Sequence, residues 1–319
     1  MEGALIARSV PSLSVVICTR DRGRAAVDTV RSVLASVDVD LEVLVVDQSA
    51  GSETSDALAG VRDGRLIVKR SSTVGLSRAR NLGLAAASFP IVAMTDDDCE
   101  VDPHWAARMV AAFERDTRIA LVFGDVLPGP HDPSIGFIPG YRCRRPFVAQ
   151  GLAQKMHAEG IGACMAMRRD VALALGGFDP ALGAGTAAMA GEEVDLTIRV
   201  LAAGYAVHET PEPRVVHLGF RRFDDARRLA AGYWMGAGYA LGKHLPRLWV
   251  LKHLTQLALR TIGGRSHTAE RVGAKGIQRA RIVAFARGLW MGWRGSVASH
   301  PVPEPAHEPS DKERSHERR

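Results

Sequence analysis

The chain has 319 residues, 46% hydrophobic and 24% charged, with a net charge of +6. This suits a globular protein of one or two domains with a sizeable core. Met1 to Val10 lacks the apolar core of a secretory leader, and no stretch reaches the roughly 18 to 20 apolar residues that span a bilayer.

Cys18, Cys99, Cys143 and Cys164 show neither paired metal spacing nor a short disulfide framework. They read as reduced thiols of a cytoplasmic protein. The charge is uneven. Arg221 to Arg294 holds 15 Lys/Arg against 3 Asp/Glu, together with Trp234, Trp249, Trp290 and Trp293. Such a segment suits contact with an anionic membrane surface, which would make the protein peripheral at the inner face of the cell membrane. A solvated helical appendage is the plainer alternative, and nucleic acid is not expected as a partner.

In chain order, Ser12 to Cys18 reads as a strand and Ala25 to Ser36 as a helix, with Val27, Val30, Val33 and Leu34 in phase. Leu41 to Val46 is a buried strand ending at Asp47. Ser55 to Val61 reads as a short helix, Arg65 to Lys69 as a strand and Leu76 to Ala87 as a helix. Phe89 to Thr95 is a strand, Trp105 to Glu114 a helix, and Ile119 to Phe123 a strand. Residues 124–160 look like loops with a strand or two. Ile161 to Met167 reads as a strand, Arg169 to Leu175 as a short helix, and the Gly/Ala-rich Gly176 to Gly191 as a mobile segment or lid. Glu192 to Ala203 is a helix, Val215 and Val216 lead into His217, and Arg221 onward is helical with breaks at Pro246 and Gly263-Gly264.

Strands alternating with helices predict an α/β fold with a parallel sheet. Ligands of such sheets bind beyond the carboxyl ends of the strands. Thr19-Arg20, Asp47-Gln48 and Asp96-Asp97-Asp98 all follow strands, so three strand ends converge on one crevice. Three adjacent carboxylates repel one another unless a cation sits among them, which fits a hard divalent metal carrying a phosphate-bearing ligand. The competing reading is an acidic loop that caps the helix after Asp102-Pro103.

The motifs Ser14-Val-Val-Ile-Cys-Thr-Arg20, Glu42-Val-Leu-Val-Val-Asp-Gln-Ser49, Gly75-Leu-Ser-Arg-Ala-Arg-Asn-Leu-Gly83, Thr95-Asp-Asp-Asp98, Gly176-Gly-Phe-Asp179 and Gly191-Glu-Glu-Val-Asp-Leu196 occur in this order. With them, residues 12–220 resemble the family 2 glycosyltransferases of GT-A fold. The resemblance implies a Rossmann-like, mostly parallel sheet flanked by helices. It makes 1–220 a catalytic domain; composition makes 221–299 a basic helical extension and the Pro-rich, charged 300–319 a disordered tail. It implies an inverting transfer of a sugar from a nucleotide-diphospho-sugar, by default a UDP-sugar, to a saccharide or lipid-linked hydroxyl in polysaccharide or glycolipid biosynthesis.

The family pattern carries over residue by residue. Asp98 would hold a divalent metal, Mn or Mg, and Asp96 and Asp97 would contact ribose or sugar. Asp47 and Gln48 stand where the base is read. Thr19 and Arg20 lie at the donor, and Arg78 and Arg80 beside the same crevice. Glu193 takes the position of the general base with Glu192 beside it, and Asp195 supports the helix start. His217 is a further metal or phosphate contact. Two rivals remain: a sugar-nucleotide-forming nucleotidyltransferase, which normally carries a Gly-rich basic loop that Cys18 to Gly23 only partly matches, and a non-catalytic sugar-nucleotide-binding protein.

Overall fold

A computed structural model describes residues 10–245 and 274–298. Trp249, the breaks at Pro246 and Gly263-Gly264, and the tail from residue 300 lie outside them.

The apolar runs become the strands expected of them. β1 (Ser12–Thr19), β2 (Asp40–Asp47), β3 (Leu66–Arg70) and β4 (Ile91–Asp96) pair in parallel in the order β3-β2-β1-β4. Leu13, Val15, Ile17, Val43 and Val45 are fully buried on one face of this sheet. Val16, Leu44 and Val92 are buried on the other. Burial on both faces explains why β1, β2 and β4 read as near-continuous apolar runs rather than alternating ones, whereas the edge strand β3 is largely exposed. The connecting helices α1 (Arg24–Leu34), α2 (Glu53–Ala59) and α3 (Leu76–Ala86) cover it. Close packing of α3 depends on Gly83, where a Cβ would lie 2.3 Å from the Val16 side chain.

The sheet continues through three-residue β5 (Cys99–Val101), which precedes α4 (Trp105–Ala111), and through β6 (Ile119–Pro128), β9 (Met165–Arg168) and β10 (Ala206–His217). Between β6 and β9 lie the two short strands β7 (Gly136–Phe137) and β8 (Phe147–Ala149). β9 inserts antiparallel between β4 and β6, β6 and β10 are parallel, and β5 closes the edge antiparallel to β10. The longest ladders are parallel, so the α/β class stands.

β10 is longer than its sequence suggests, because Pro211 and Pro213 interrupt the apolar pattern. A proline cannot donate a ladder bond. The pairing with β6 therefore shifts register between Glu209 and Arg214 and then resumes. Gly124 permits the bulge, since a Cβ there would lie 2.2 Å from the Pro213 carbonyl oxygen. The resumed register places His217 opposite Cys99 of β5, immediately beside Asp98.

Gly176 to Gly191 is not the loose segment its composition predicts. Phe178, Leu182 and Ala188 are buried. Asn81 clamps Phe178 by accepting from its N–H at 2.7 Å and donating to its carbonyl at 2.7 Å. α5 (Arg169–Ala174) precedes this segment and α6 (Glu192–Ala202) follows it.

After the small β11 (Arg221–Arg222), α7 (Ala226–Lys243) and α8 (Ala274–Ala298) form a close pair. Gly238 and Gly242 of α7 meet the Phe285 and Leu289 carbonyls. Gly288 and Gly292 of α8 meet those of Met235 and Tyr239, and any added Cβ would lie within 2.3 Å of the facing oxygen. Small residues four apart let two helix backbones approach in this way. Leu241, Phe285 and Leu289 pack on Ile198 of α6. No helix among the described residues is long and apolar enough to cross a membrane.

Candidate active site

The carboxyl ends of β1, β2 and β4 open into a cleft of 1220 Å³. Thr19, Arg20, Gln48 and Arg80 line it together with Asp96, Asp97, Asp98, Glu192, Glu193 and His217. Asp47 lies fully buried at the end of β2, beneath this surface.

Asp98 uses both oxygens. Oδ2 accepts from Arg22 Nη2 at 3.0 Å, and Oδ1 lies 3.1 Å from His217 Nε2. His217 Nδ1 is 2.9 Å from the Pro139 carbonyl oxygen. A carbonyl only accepts, so Nδ1 carries its hydrogen and Nε2 is the nitrogen that a metal would use. Burial disfavours the charged imidazole, but the Asp98 bond and the Pro139 carbonyl outweigh it and raise the His217 pKa. Burial also opposes ionisation of Asp98, yet His217 and Arg22 hold its carboxyl below the usual range.

Ligand atoms of Asp98, Cys99 and His217 lie within 4.8 Å of one another. Burial holds the Cys99 thiol protonated, with its pKa well above the usual value. The usable donors are therefore a carboxylate and an imidazole, which suit Mn or Mg. Space beside them is kept open by Gly219, where a Cβ would lie 2.5 Å from Asp98 Oδ2 and 2.7 Å from His217 Nε2. The residues present fit a divalent cation.

Arg80 is the link across the cleft. It is 3% exposed. Its Nη1 donates to Glu192 Oε1 at 2.8 Å, and its Nη2 lies 3.5 Å from Asp96 Oδ1. The guanidinium sits 5.5 Å from the Phe178 ring centroid. Gly162 makes room, since a Cβ there would lie 2.5 Å from Nη2. Glu192 is thus committed to an ion pair. Glu193 is half-buried, but its Oε2 is sealed from solvent without a hydrogen-bond partner among the described residues. Burial, then the neighbouring Glu192 carboxylate, push Glu193 up to about 8.

Asp195 does more than support the helix start. It accepts from Arg199 Nε at 2.9 Å and from Lys243 Nζ at 3.2 Å, and lies 3.0 Å from His244 Nε2. The Lys243 and His244 contacts tie α6 to the end of α7.

The structure brings most of the expected donor residues together, with two qualifications. Arg78 is exposed and faces a separate shallow depression with Arg70, Asn81 and Pro180. Gln48 spends its amide on the backbone: Nε2 donates to the Thr73 and Gly75 carbonyls, and Oε1 accepts from Gly75 N–H at 3.3 Å. Its side chain fixes the loop that starts α3. Arg20 lies half-exposed against Asp21 at 3.4 Å.

Sequence reasoning missed Arg22, which reaches Asp97 at 3.5 Å as well as Asp98. Its place in the same polar loop as Arg20 was the available signal. Burial, against the pull of Arg22, raises the Asp97 carboxyl to about 6. Also missed was the aromatic end of the cleft, where Phe137, Phe223 and Tyr233 join Arg221. Phe137 and Phe223 stack with centroids 6.1 Å apart. These residues come from distant short elements, and no local pattern joins them.

A large, mostly parallel sheet flanked by helices is the fold of the GT-A glycosyltransferases. Solved structures of that fold superpose on the chain. A Pyrobaculum calidifontis mannosyltransferase in complex with GDP-Man and Mn2+ does so with a TM-score of 0.59 at 16% identity, covering 89% of this chain and 88% of that one. GalNAc-T7 with UDP, GalNAc and Mn2+ gives 0.55 at 17% identity, covering 93% and 59%.

The Glycosyl transferase family 2 model matches residues 14–175, and the chain belongs to this family and is a glycosyltransferase. It is 26% identical over 235 residues to a glucosyl-dolichyl phosphate glucuronosyltransferase of Haloferax volcanii, covering 70% of this chain and 75% of that protein. It is 25% identical to polypeptide N-acetylgalactosaminyltransferase 10 of Mus musculus over 76% of this chain, but spans only 42% of that relative's length.

Proposed function

We propose that the protein transfers a sugar, with inversion, from a nucleotide-diphospho-sugar to a hydroxyl acceptor, using a divalent metal. The observation that carries this reading is the Arg80 bridge. It joins Asp96 of the acidic turn to Glu192 of the opposite helix, and leaves the adjacent Glu193 carboxylate unengaged within the same cleft.

Asp98 and His217 would hold the metal. When bound it supplies positive charge beside the departing diphosphate. Asp96 and Asp97 face ribose or sugar, and Thr19, Arg20, Asp47 and Gln48 lie at the base end. Glu193 takes the proton of the acceptor hydroxyl. The acceptor oxygen bonds the anomeric carbon from the face opposite the leaving group, and the carbon–oxygen bond to the nucleotide diphosphate breaks. A base with a pKa of about 8 is well matched to this proton transfer. Arg80 keeps Glu192 paired, so that the base is Glu193 alone. UDP is the default donor nucleotide.

The acceptor is a saccharide or a lipid-linked saccharide in polysaccharide or glycolipid assembly. The Haloferax volcanii relative, named for a dolichyl phosphate-linked sugar, supports the lipid-linked form. The four cysteines are free, as a cytoplasmic location requires.

Thermal stabilisation by UDP, GDP and dTDP, each with and without Mn2+, tests the donor site on wild type and Asp98→Ala. A ligand that binds only the native state raises its apparent stability. Metal-dependent stabilisation by one nucleotide, lost in Asp98→Ala, is the expected result and identifies the base. No shift with any nucleotide refutes the reading. Turnover of a nucleoside triphosphate with a sugar phosphate would replace it with nucleotidyl transfer.

A further inference from the structure

We propose that the outward face of α8 docks flat on an anionic lipid bilayer. Its 25 residues hold five Lys/Arg and no Asp or Glu. One face packs inward through Ala284, Gly288 and Gly292, which are buried. The opposite face carries Ile282, Val283 and Trp290, exposed by 54%, 61% and 53%. Arg279, Arg287 and Arg294 are exposed along the same stripe, spaced by whole turns from these apolar residues. The Arg294 guanidinium lies over the Trp290 ring, 4.7 Å from its centroid.

A helix that shows large apolar side chains to water usually carries acidic residues as well, because mixed charge keeps a surface soluble. This face has none, which makes it complementary to phosphate headgroups and not to a mixed-charge protein surface. Trp is favoured at the headgroup level, where its ring is buried and its N–H stays wet. The helix is not apolar enough to cross a bilayer. Arginines interleaved with apolar side chains on one exposed face suit a helix that lies in the interface plane.

The location gives this docking a purpose. α7 is shared between the two sites: Tyr233 and Ala237 line the cleft, while Trp234 stacks edge-on against Phe285 of α8 and Gly238 and Gly242 receive its backbone. Seating α8 on a bilayer therefore fixes, through α7, how the aromatic end of the cleft with Arg221 stands relative to the lipid headgroups. That consequence, delivery of a lipid-phosphate-borne acceptor, rests on the glycosyltransfer reading; the docking itself does not.

Co-sedimentation of the full-length protein with vesicles tests it. Phosphatidylcholine vesicles with and without phosphatidylglycerol are compared. Wild type is expected to bind the anionic vesicles and to be released by high salt. I282S/V283S/W290A should bind at least about tenfold more weakly, and R279E/R287E/R294E should lose the preference for anionic lipid. Near-UV circular dichroism checks that each variant is folded. No binding by wild type, or variants that bind as wild type does, overturns the proposal. So does a wild-type dimer that the apolar variant dissolves, because the face would then belong to a second copy. Vesicle binding without any nucleotide stabilisation would leave the docking intact and remove the glycosyltransfer reading instead.

Discussion

Arg22 Nη2 lies 3.0 Å from Asp98 Oδ2, the carboxylate that the metal reading assigns to the cation. The guanidinium contacts Asp98 and Asp97 together and offsets part of the repulsion between two adjacent carboxylates. A divalent ion must compete with it. The Arg22 side chain is 41% exposed, so the pair contributes no more than about 1 kcal/mol. Arg22→Ala should therefore bind Mn2+ alone about fivefold more tightly, read by isothermal titration in the absence of nucleotide. Unchanged or weaker binding would show that Arg22 does not compete for the site.

The two glutamates of α6 should separate cleanly on substitution. Glu193→Gln keeps the shape and removes the base, so kcat should fall by about 10²- to 10⁴-fold while nucleotide stabilisation is retained. Glu192→Gln leaves the buried Arg80 short of a carboxylate and should cost about 3 kcal/mol of folding stability. Urea unfolding and steady-state kinetics on both variants decide the matter. Equal kinetic losses without a stability difference would reject this division of roles.

The helix positions show why part of this was legible in the sequence and part was not. The strand ends announced the cleft, because β1, β2 and β4 are mostly apolar runs that stop at polar residues. Arg78 and Arg80 looked equivalent, yet two positions on a helix are about 200° apart, so only one can face the cleft. Packing selected Arg80, which Phe178 and Gly162 accommodate. Arg20 and Arg22 could not be ranked either, since a loop has no period. His217 was expected beside the Asp98 metal site only through the family resemblance, because the prolines of β10 hid the strand that delivers it.

Glu193 also makes stability depend on pH. Its native pKa, about 8, lies above that of an unfolded glutamate, so the native state binds the extra proton. Its favourable contribution is complete below the unfolded pKa and is lost as pH rises towards 8. Glu193→Gln lacks this loss. The melting temperature of the variant should therefore gain on wild type progressively between about pH 5 and pH 8 and level off above. A difference independent of pH would mean that the native carboxyl titrates normally.

The geometry of the base depends on a contact between two glycines. Gly191 precedes α6 with φ +93°, and a Cβ there would lie 2.5 Å from the Gly236 carbonyl oxygen of α7. Gly204, just beyond the other end of α6, has φ +84° with nothing within 4 Å. The pair separates strain from displacement. Gly204→Ala meets only the left-handed backbone and should cost about 1 kcal/mol without altering kcat. Gly191→Ala meets the same strain and must also push α7 away from the first turn that holds Glu192 and Glu193. A shift of about 1 Å at a reacting group can cost about a hundredfold in rate. Gly191→Ala should lose that much in kcat while its nucleotide stabilisation stays close to wild type, because the Asp98 side of the cleft is untouched. If both variants lose only stability, and equally, the contact between the helices does not position the base.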